Sequence, residues 1–153
     1  MSKKNPKING KVLKTSLGAQ SSLVKKPEEL HQGLLSFSFK YLDLEHSKFD
    51  LPCPSAKAGY LAEFFNRVKA YSTLTAKELQ NLTGKAGKCH PLKWEETSER
   101  QGFSQLDQQL QDILPWQISI CTNRFGRLHG FFIDSTFYVV WLDHDHRLYP
   151  SKK

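Results

Sequence analysis

Arginine and histidine residues recur in the last third of the chain, at positions where their side chains could share one site. Arg127 and His129 lie two residues apart, so an extended chain would place both side chains on the same face of a strand. His144, His146 and Arg147 stand where the next apolar run ends. An imidazole titrates near neutral pH and can transfer protons, and a guanidinium can hold a phosphate group.

Cleavage of RNA needs these residue types, because it uses a base for the 2′-hydroxyl, cations for the phosphorane and an acid for the leaving oxygen. We therefore treat four residues as candidate catalytic residues: Arg127, His129, His146 and Arg147. The alternative is a solvated sheet face, which can carry the same residues without any chemical role.

A metal site is a further alternative for this segment. His144 and His146 form an H-x-H pair, His129 could complete a set of imidazoles, and Asp143 and Asp145 could add carboxylates. Turn histidines beside aspartates are more often only hydrogen-bonded, and no cysteine or glutamate stands at a typical ligand spacing. We therefore expect neither a metal nor another cofactor.

A second polar cluster occupies residues 90–96, with the sequence HPLKWEE. A loop of this kind can form one wall of a nucleotide site, in which Trp94 would stack on a base. We predict Lys93 and Trp94, together with His144 and Tyr149, as substrate-binding residues. The alternative is a surface loop that Trp94 pins against the body of the protein.

The positive charge of the chain is concentrated at its N-terminus. The 153 residues carry a formal net charge of +7, and residues 1–27 hold seven lysines and no acidic residue. Residues 28–153 are therefore formally neutral. A lysine-rich tail attracts phosphate polyanions, although it could also serve only as a solvated extension. We expect residues 1–30 to be disordered and residues 31–153 to form a single domain.

Several classes of protein are disfavoured by what the sequence lacks. No apolar run approaches the roughly 20 residues of a membrane span, and the N-terminus has no apolar signal segment. Phosphate-loop, dinucleotide-binding, serine-hydrolase and zinc-protease motifs are missing. The three cysteines, Cys53, Cys89 and Cys121, are widely spaced and indicate reduced thiols. These features favour a cytoplasmic protein without membrane contact.

The apolar patterns predict an α+β fold, with an N-terminal strand and helices packed on a mostly antiparallel sheet formed by the C-terminal third. Residues 58–71 have the spacing of an amphipathic helix whose apolar side chains are Leu61, Phe64, Phe65, Val68 and Tyr71. Thr75 and Glu78 form a capping box, and Ser55 and Ser104 are further candidate caps. The predicted helices are 58–71, 75–82 and 104–113, and the predicted strands are 34–44, 116–121, 127–133, 136–143 and a short edge at 147–150.

Residues 116–149 resemble the C-terminal sheet of the RelE/ParE toxin superfamily, whose mRNA-cleaving members act on ribosomes. The segments WQISIC, GRLHGFFI, FYVVWLD and HDHRLY occupy the places of that family's last strands and its basic or histidine-containing end. SFSFKYLDL, followed by two helices, is similar to the family's opening β-α-α unit. The resemblance implies that Arg127 and the His146–Arg147 end lie at the active site.

Our leading hypothesis is a small RNA-directed protein, a metal-independent endoribonuclease of the toxin type that acts on mRNA. Arg127 and Arg147 would contact phosphate, His129 or His146 would be the base or acid, and Tyr149 would stack on a base or donate a proton. Its partners would be RNA, on or off the ribosome, and an antitoxin or other protein. The alternative is a non-catalytic nucleic-acid- or protein-binding module of a mobile-element or phage-defence operon. An occluding inhibitor ranks third.

Overall fold

The computed structural model describes residues 26, 29, 32–50, 59–82, 89–121 and 126–150, called the described residues below. Contacts divide the chain into two units, Met1–Gln32 and Gly33–Lys153, and every strand and helix discussed here lies in the second. Apart from residues 26 and 29, the predicted tail 1–30 lies outside the described residues. So do Cys53 and the candidate cap Ser55.

A five-stranded mixed sheet is the centre of the second unit, and its strand order is β1-β5-β4-β3-β2. β1 pairs in parallel with β5, and the other neighbours are antiparallel. With helices beside this sheet, the predicted α+β class is confirmed. The strands are β1 (Ser36–Ser38), β2 (Cys89–Pro91), β3 (Pro115–Ser119), β4 (Arg127–Ile133) and β5 (Thr136–Asp143).

Strands β4 and β5 have the bounds that their apolar patterns predict, because both runs are long enough to cross a buried sheet. A tight turn joins them, in which Asp134 has a φ of 51°. The pairing shifts by one residue between His129 and Gly130. A side chain at position 130 would put its Cβ 1.9 Å from the Tyr138 carbonyl oxygen, so this bulge requires glycine.

Three element predictions are wrong in extent. The strand expected over 34–44 forms hydrogen-bonded pairs only at Ser36–Ser38. The helix expected over 104–113 is a single turn at Gln108–Gln111, which Asp107 precedes in place of Ser104. The edge strand expected at 147–150 does not form, because the N–H groups of residues 147 and 148 donate to a carboxylate and not to a neighbouring strand.

Helix α1 (Tyr60–Tyr71) and helix α2 (Ala76–Gln80) lie where they are expected, and α3 is the short turn at Gln108–Gln111. The Thr75–Glu78 capping box is confirmed, since the Thr75 hydroxyl accepts from the Glu78 N–H and the Glu78 carboxylate accepts from the Thr75 N–H. Among the described residues, no helix is both long and apolar enough to span a bilayer.

The buried face of α1 matches the predicted one only in part. The predicted Phe64 and Tyr71 are buried and Tyr60 joins them, whereas the predicted Leu61 is 50% and Phe65 61% exposed. Both sets satisfy the helical spacing, because positions 60 and 61 belong to adjacent columns of the same surface. The periodicity therefore finds the helix but does not determine its rotation about its own axis.

Apolar clusters cover both faces of the sheet. Along β3 and β4 the side chains alternate between the faces, and along β5 they do so except at Val140 and Trp141, which share one face opposite the register shift at His129–Gly130. The first cluster packs the sheet against α1 and includes Phe64, Ile118, Leu128, Phe137 and Leu142. The second cluster lies on the opposite face and includes Phe49, Phe103, Phe131, Trp141 and Leu148. Because Ile118, Leu128 and Leu142 belong to the first cluster, their neighbours Gln117, Arg127, His129 and Asp143 lie on the second face.

Candidate functional site

A polar cleft of about 160 Å³ lies at one end of the second face. Arg127 begins β4 and pairs in register with Asp143, which ends β5, so the antiparallel arrangement brings both residues to the same edge. The residues that line the cleft are Gln117, Arg127, Asp143, His146 and Tyr149. The cleft therefore combines side chains from three adjacent strands and from the segment that follows β5.

Arg127 is held in place by its own backbone surroundings. Only 8% of the residue is exposed, and Nη1 donates to the carbonyl oxygens of Cys121 and Gly126, each at 3.0 Å. Burial lowers the pKa of the guanidinium, and the nearby charge of Asp143 opposes this shift. An arginine remains protonated in proteins, so a fixed positive charge lines the cleft.

Gly126 allows this approach of the two strands. Its φ is 74°, and a Cβ at this position would lie 1.8 Å from the Asp143 carbonyl oxygen. A side chain here would push the start of β4 away from the end of β5. The glycine is therefore a steric requirement of the Arg127–Asp143 pairing.

Asp143 organises the segment that carries the cleft's histidine. It is 1% exposed, and its two carboxylate oxygens accept from Arg147 N at 2.7 Å and Leu148 N at 2.9 Å. Burial acts to raise the pKa of Asp143, but the hydrogen bonds from His129 and from the two backbone donors hold it below the ordinary value. The ionised carboxylate thus closes the turn after β5.

His129 is buried behind this carboxylate. Its side chain is fully buried, and Nε2 lies 3.3 Å from Asp143 Oδ2. Burial lowers its pKa despite the bond to Asp143. Among the described residues Nδ1 has no hydrogen-bond partner, which favours the neutral ring with its proton on Nε2. His129 does not line the polar cleft, and its contact with that cleft runs through Asp143.

His146 is the histidine that lines the polar cleft. It is half-buried and has a φ of 56°, in the left-handed region that side chains other than glycine rarely adopt. Such a conformation costs about 1–3 kcal/mol and persists where the surroundings enforce it. The hydrogen bond from the next residue, Arg147 N, to Asp143 contributes to that enforcement.

The two other basic side chains of this segment lie outside the polar cleft. Arg147 is exposed, and its carbonyl oxygen accepts from Ser98 Oγ at 3.0 Å, so the described contacts of this residue are made by its backbone. His144 is half-buried, with Nε2 at 3.4 Å from Asp145 Oδ2 and its ring 6.2 Å from that of Tyr60. The structure thus brings Arg127 and His146 together but not Arg147 or His144.

A second, flanking cleft of about 290 Å³ adjoins the first, and Tyr149 lines both. Its lining consists of His90, Pro91, Lys93, Glu96 and Tyr149. Burial raises the pKa of the Tyr149 phenol, while a hydrogen bond from the Lys93 backbone acts in the opposite direction. Two predicted substrate-binding residues, Lys93 and Tyr149, therefore lie side by side.

Trp94, the third residue predicted to bind substrate, packs inward instead. Its ring centroid lies 4.9 Å from that of Phe103 and 5.9 Å from that of Trp141. A Cβ at Gly102 would lie 2.7 Å from the indole. This packing matches the alternative in which Trp94 pins its loop against the body of the protein.

A hydrogen bond joins the two clefts. His90 Nδ1 lies 2.9 Å from the Pro91 carbonyl oxygen, which can only accept, so Nδ1 donates. His90 Nε2 then accepts from the Gln117 side-chain N–H at 3.0 Å. Because Gln117 is only 6% exposed, it ties the imidazole of the flanking cleft to the floor of the polar cleft.

Five lining residues are not among the predicted catalytic and substrate-binding residues: His90, Pro91, Glu96, Gln117 and Asp143, of which Asp143 was considered only as a metal ligand. His90 and Glu96 stand in the polar cluster 90–96, and Asp143 ends an apolar strand, so each carried a local signal. Gln117 carried a weaker one, since it alternates with the apolar Trp116 and Ile118 of β3. Their convergence depends on strand register.

Among the described residues, no group of three or more histidine, cysteine, aspartate or glutamate side chains is placed to hold a metal ion. Comparison with models of protein families, with curated protein sequences and with solved structures finds no match to this chain.

Proposed function

We propose that this is a small cytoplasmic RNA-directed protein, a metal-independent endoribonuclease of the toxin type whose polar cleft holds the scissile phosphodiester of mRNA. The observation that carries the proposal is that Arg127, His146 and Tyr149 line one cleft although 22 positions separate the first from the last. A fixed cation, an imidazole and a phenol are the groups that bind a phosphate and transfer a proton. An antitoxin-like protein is the expected partner.

The proposed reaction requires one accessible base and one fixed cation. His146 takes the proton of the 2′-hydroxyl as O2′ attacks phosphorus, and the bond from phosphorus to the 5′-oxygen breaks. Arg127 stabilises the charge that develops on the phosphorane oxygens. The leaving 5′-oxygen takes a proton from water, and His146 returns its proton to solvent. The products are a 2′,3′-cyclic phosphate and a free 5′-hydroxyl.

His129 and Asp143 act as positioning residues in this proposal. Both are buried, and Asp143 accepts hydrogen bonds from His129 and from the backbone N–H groups of Arg147 and Leu148. His129 cannot reach a substrate in this arrangement, since its imidazole is enclosed. It acts on His146 through Asp143 and the turn.

Cleavage of an unstructured mRNA fragment by His146→Ala and His144→Ala tests the assignment. The two histidines are two residues apart, but only His146 lines the cleft. We expect His146→Ala to lose about 100-fold or more in rate, as general bases contribute roughly 10²–10⁴-fold, and His144→Ala to retain activity. Equal rates for both variants would remove His146 from the mechanism.

A non-catalytic nucleic-acid-binding module is the second candidate function. His129 is buried, so the polar cleft has His146 as its histidine and lacks the second imidazole that the sequence predicted for catalysis. In that case the lysine-rich tail supplies the affinity. Replacing the seven lysines of residues 1–27 by serine in the full chain would then abolish binding and flatten its salt dependence. Retained cleavage by this variant would favour the enzyme.

A further inference from the structure

The flanking cleft has the components of a nucleobase site. The aromatic rings of His90 and Tyr149 and the pyrrolidine ring of Pro91 line it, together with the Lys93 ammonium and the Glu96 carboxylate, which lie 3.6 Å apart. Bases of single-stranded RNA stack on aromatic rings and are read by hydrogen bonds along their edges. An apolar pocket would not carry this pair of opposite charges.

The walls of the flanking cleft are fixed before any ligand binds. Both ring nitrogens of His90 are engaged, one by the Pro91 carbonyl and the other by Gln117. The Tyr149 phenol is hydrogen-bonded to the Lys93 backbone, and the His90 and Tyr149 ring centroids lie 6.3 Å apart. The two ring planes are inclined by 58°, so each ring offers a separate face. A preorganised site loses less side-chain entropy on binding, so these restraints favour the binding of a ligand.

We propose that the flanking cleft binds a guanine base next to the phosphate that Arg127 holds. The inference rests on the proposed function, because Tyr149 separates a phosphate site from a base site of the same RNA strand. Guanine presents two adjacent donors, N1–H and the N2 amino group, which a single carboxylate such as Glu96 can accept together. It also presents O6, an acceptor suited to the Lys93 ammonium.

The other bases match this pair of charges less well. Adenine offers one amino donor beside an acceptor nitrogen, which the carboxylate would repel. Cytosine offers one amino donor beside an acceptor nitrogen, and uracil a single N–H between two carbonyls. Inosine retains N1–H and O6 but lacks the N2 amino group, so it isolates the second hydrogen bond to Glu96.

The experiment uses the full chain and oligomers of four nucleotides, in which three are uridine and the fourth is guanosine, inosine or adenosine. All nucleotides are 2′-O-methylated, which removes the nucleophile and prevents cleavage. Dissociation constants are measured by fluorescence anisotropy for the wild type, Glu96→Gln and Glu95→Gln. Glu95 is the matched control, because it is a neighbouring exposed carboxylate that does not line the cleft.

We expect the wild type to bind the guanosine oligomer about tenfold more tightly than the inosine and adenosine oligomers, since guanine alone of the three makes the bidentate contact with Glu96. Glu96→Gln should bind all three equally, and Glu95→Gln should behave as the wild type. Equal wild-type affinities, or equal effects of the two substitutions, would overturn the guanine site.

Unmethylated RNA separates this inference from the proposed function. A guanine preference in the binding assay without any cleavage of unmethylated RNA would overturn the endoribonuclease and leave the base site standing. Cleavage of unmethylated RNA without a guanine preference in the binding assay would overturn the guanine site and leave the endoribonuclease standing.

Discussion

His129 Nε2 lies 3.3 Å from Asp143 Oδ2, and both side chains are buried within the sheet. The imidazole belongs to β4 and the carboxylate to the end of β5, so the contact joins two neighbouring strands. The same carboxylate accepts both backbone donors of the turn that carries His146. The turn after β5 is therefore ordered by a buried hydrogen-bonded pair and not by strand pairing.

Asp143→Asn should destabilise the protein by about 2–3 kcal/mol, because hydrogen bonds to a buried charge are stronger than those to a neutral amide and one amide group of asparagine would face a donor. The free energy of urea unfolding measures this loss. Asp134→Asn is the control, since Asp134 is exposed and asparagine tolerates its φ of 51°. Equal stability of the two variants would contradict the role of Asp143.

Acidification should lower the free energy of unfolding in two ranges of pH. Burial lowers the pKa of folded His129, so the unfolded chain binds more protons and stability falls as the pH drops below about 6.5. Burial acts to raise the pKa of Asp143, but its hydrogen bonds outweigh burial and lower the pKa in the folded protein. The stability that ionised Asp143 contributes is therefore fully present above about pH 3.9 and is lost as the pH falls below that value. Urea unfolding between pH 8 and pH 3 measures both.

His129→Gln separates the two ranges. The glutamine amide can still donate to Asp143 but does not titrate, so stability should vary less between pH 7 and pH 5 while the loss at lower pH remains. An unchanged slope between pH 7 and pH 5 would assign that range to another group.

Gly126→Ala should be more destabilising than Gly33→Ala, although both glycines have a positive φ. Alanine at either position meets the left-handed strain of about 1–2 kcal/mol. At position 126 the Cβ would also lie 1.8 Å from the Asp143 carbonyl, whereas at position 33 nothing lies within 4 Å. The Tm of Gly33→Ala reports the backbone strain alone, and the Tm of Gly126→Ala reports the strain and the clash together. Similar Tm values would show that β4 and β5 can move apart at Gly126 without loss of stability.

Substitutions on α1 test which face is buried. Phe64→Ala should cost about 3–5 kcal/mol, because Phe64 is 5% exposed within the first cluster. Phe65→Ala, one residue further along the same helix, should change stability by much less, since 61% of Phe65 is exposed. A larger loss for Phe65→Ala than for Phe64→Ala in urea unfolding would contradict the observed rotation of the helix.

Arg127→Lys should weaken RNA binding about tenfold while the positive charge is retained. The planar guanidinium can donate to two carbonyl oxygens and still present further N–H groups, whereas an ammonium has three donors on a flexible stem. Loss of one charge-assisted hydrogen bond of about 1.5 kcal/mol corresponds to this factor. Arg147→Lys is the control, and an equal effect of both would show that charge alone determines affinity.

Local patterns predicted much of the fold, and the failures share a cause. The bounds of β4 and β5 and the Thr75–Glu78 capping box follow from near neighbours in the chain. The N-terminal strand was predicted too long because the alternation over 34–44 does not reveal the turn after β1, in which the Leu42 N–H donates to the Phe39 carbonyl oxygen. β5 continues beyond Tyr138, so β1 ends because the chain turns away from it and not because β5 ends.

The sequence by itself determined the α+β class, the strand that carries Arg127 and His129, and the presence of a histidine-rich segment after β5. Only the tertiary structure decided that His129 is buried, that His146 and Arg127 share a cleft, and that Trp94 packs against the second cluster. Side-chain alternation is a property of the backbone, whereas burial and convergence depend on the register between strands and on the layers that cover them.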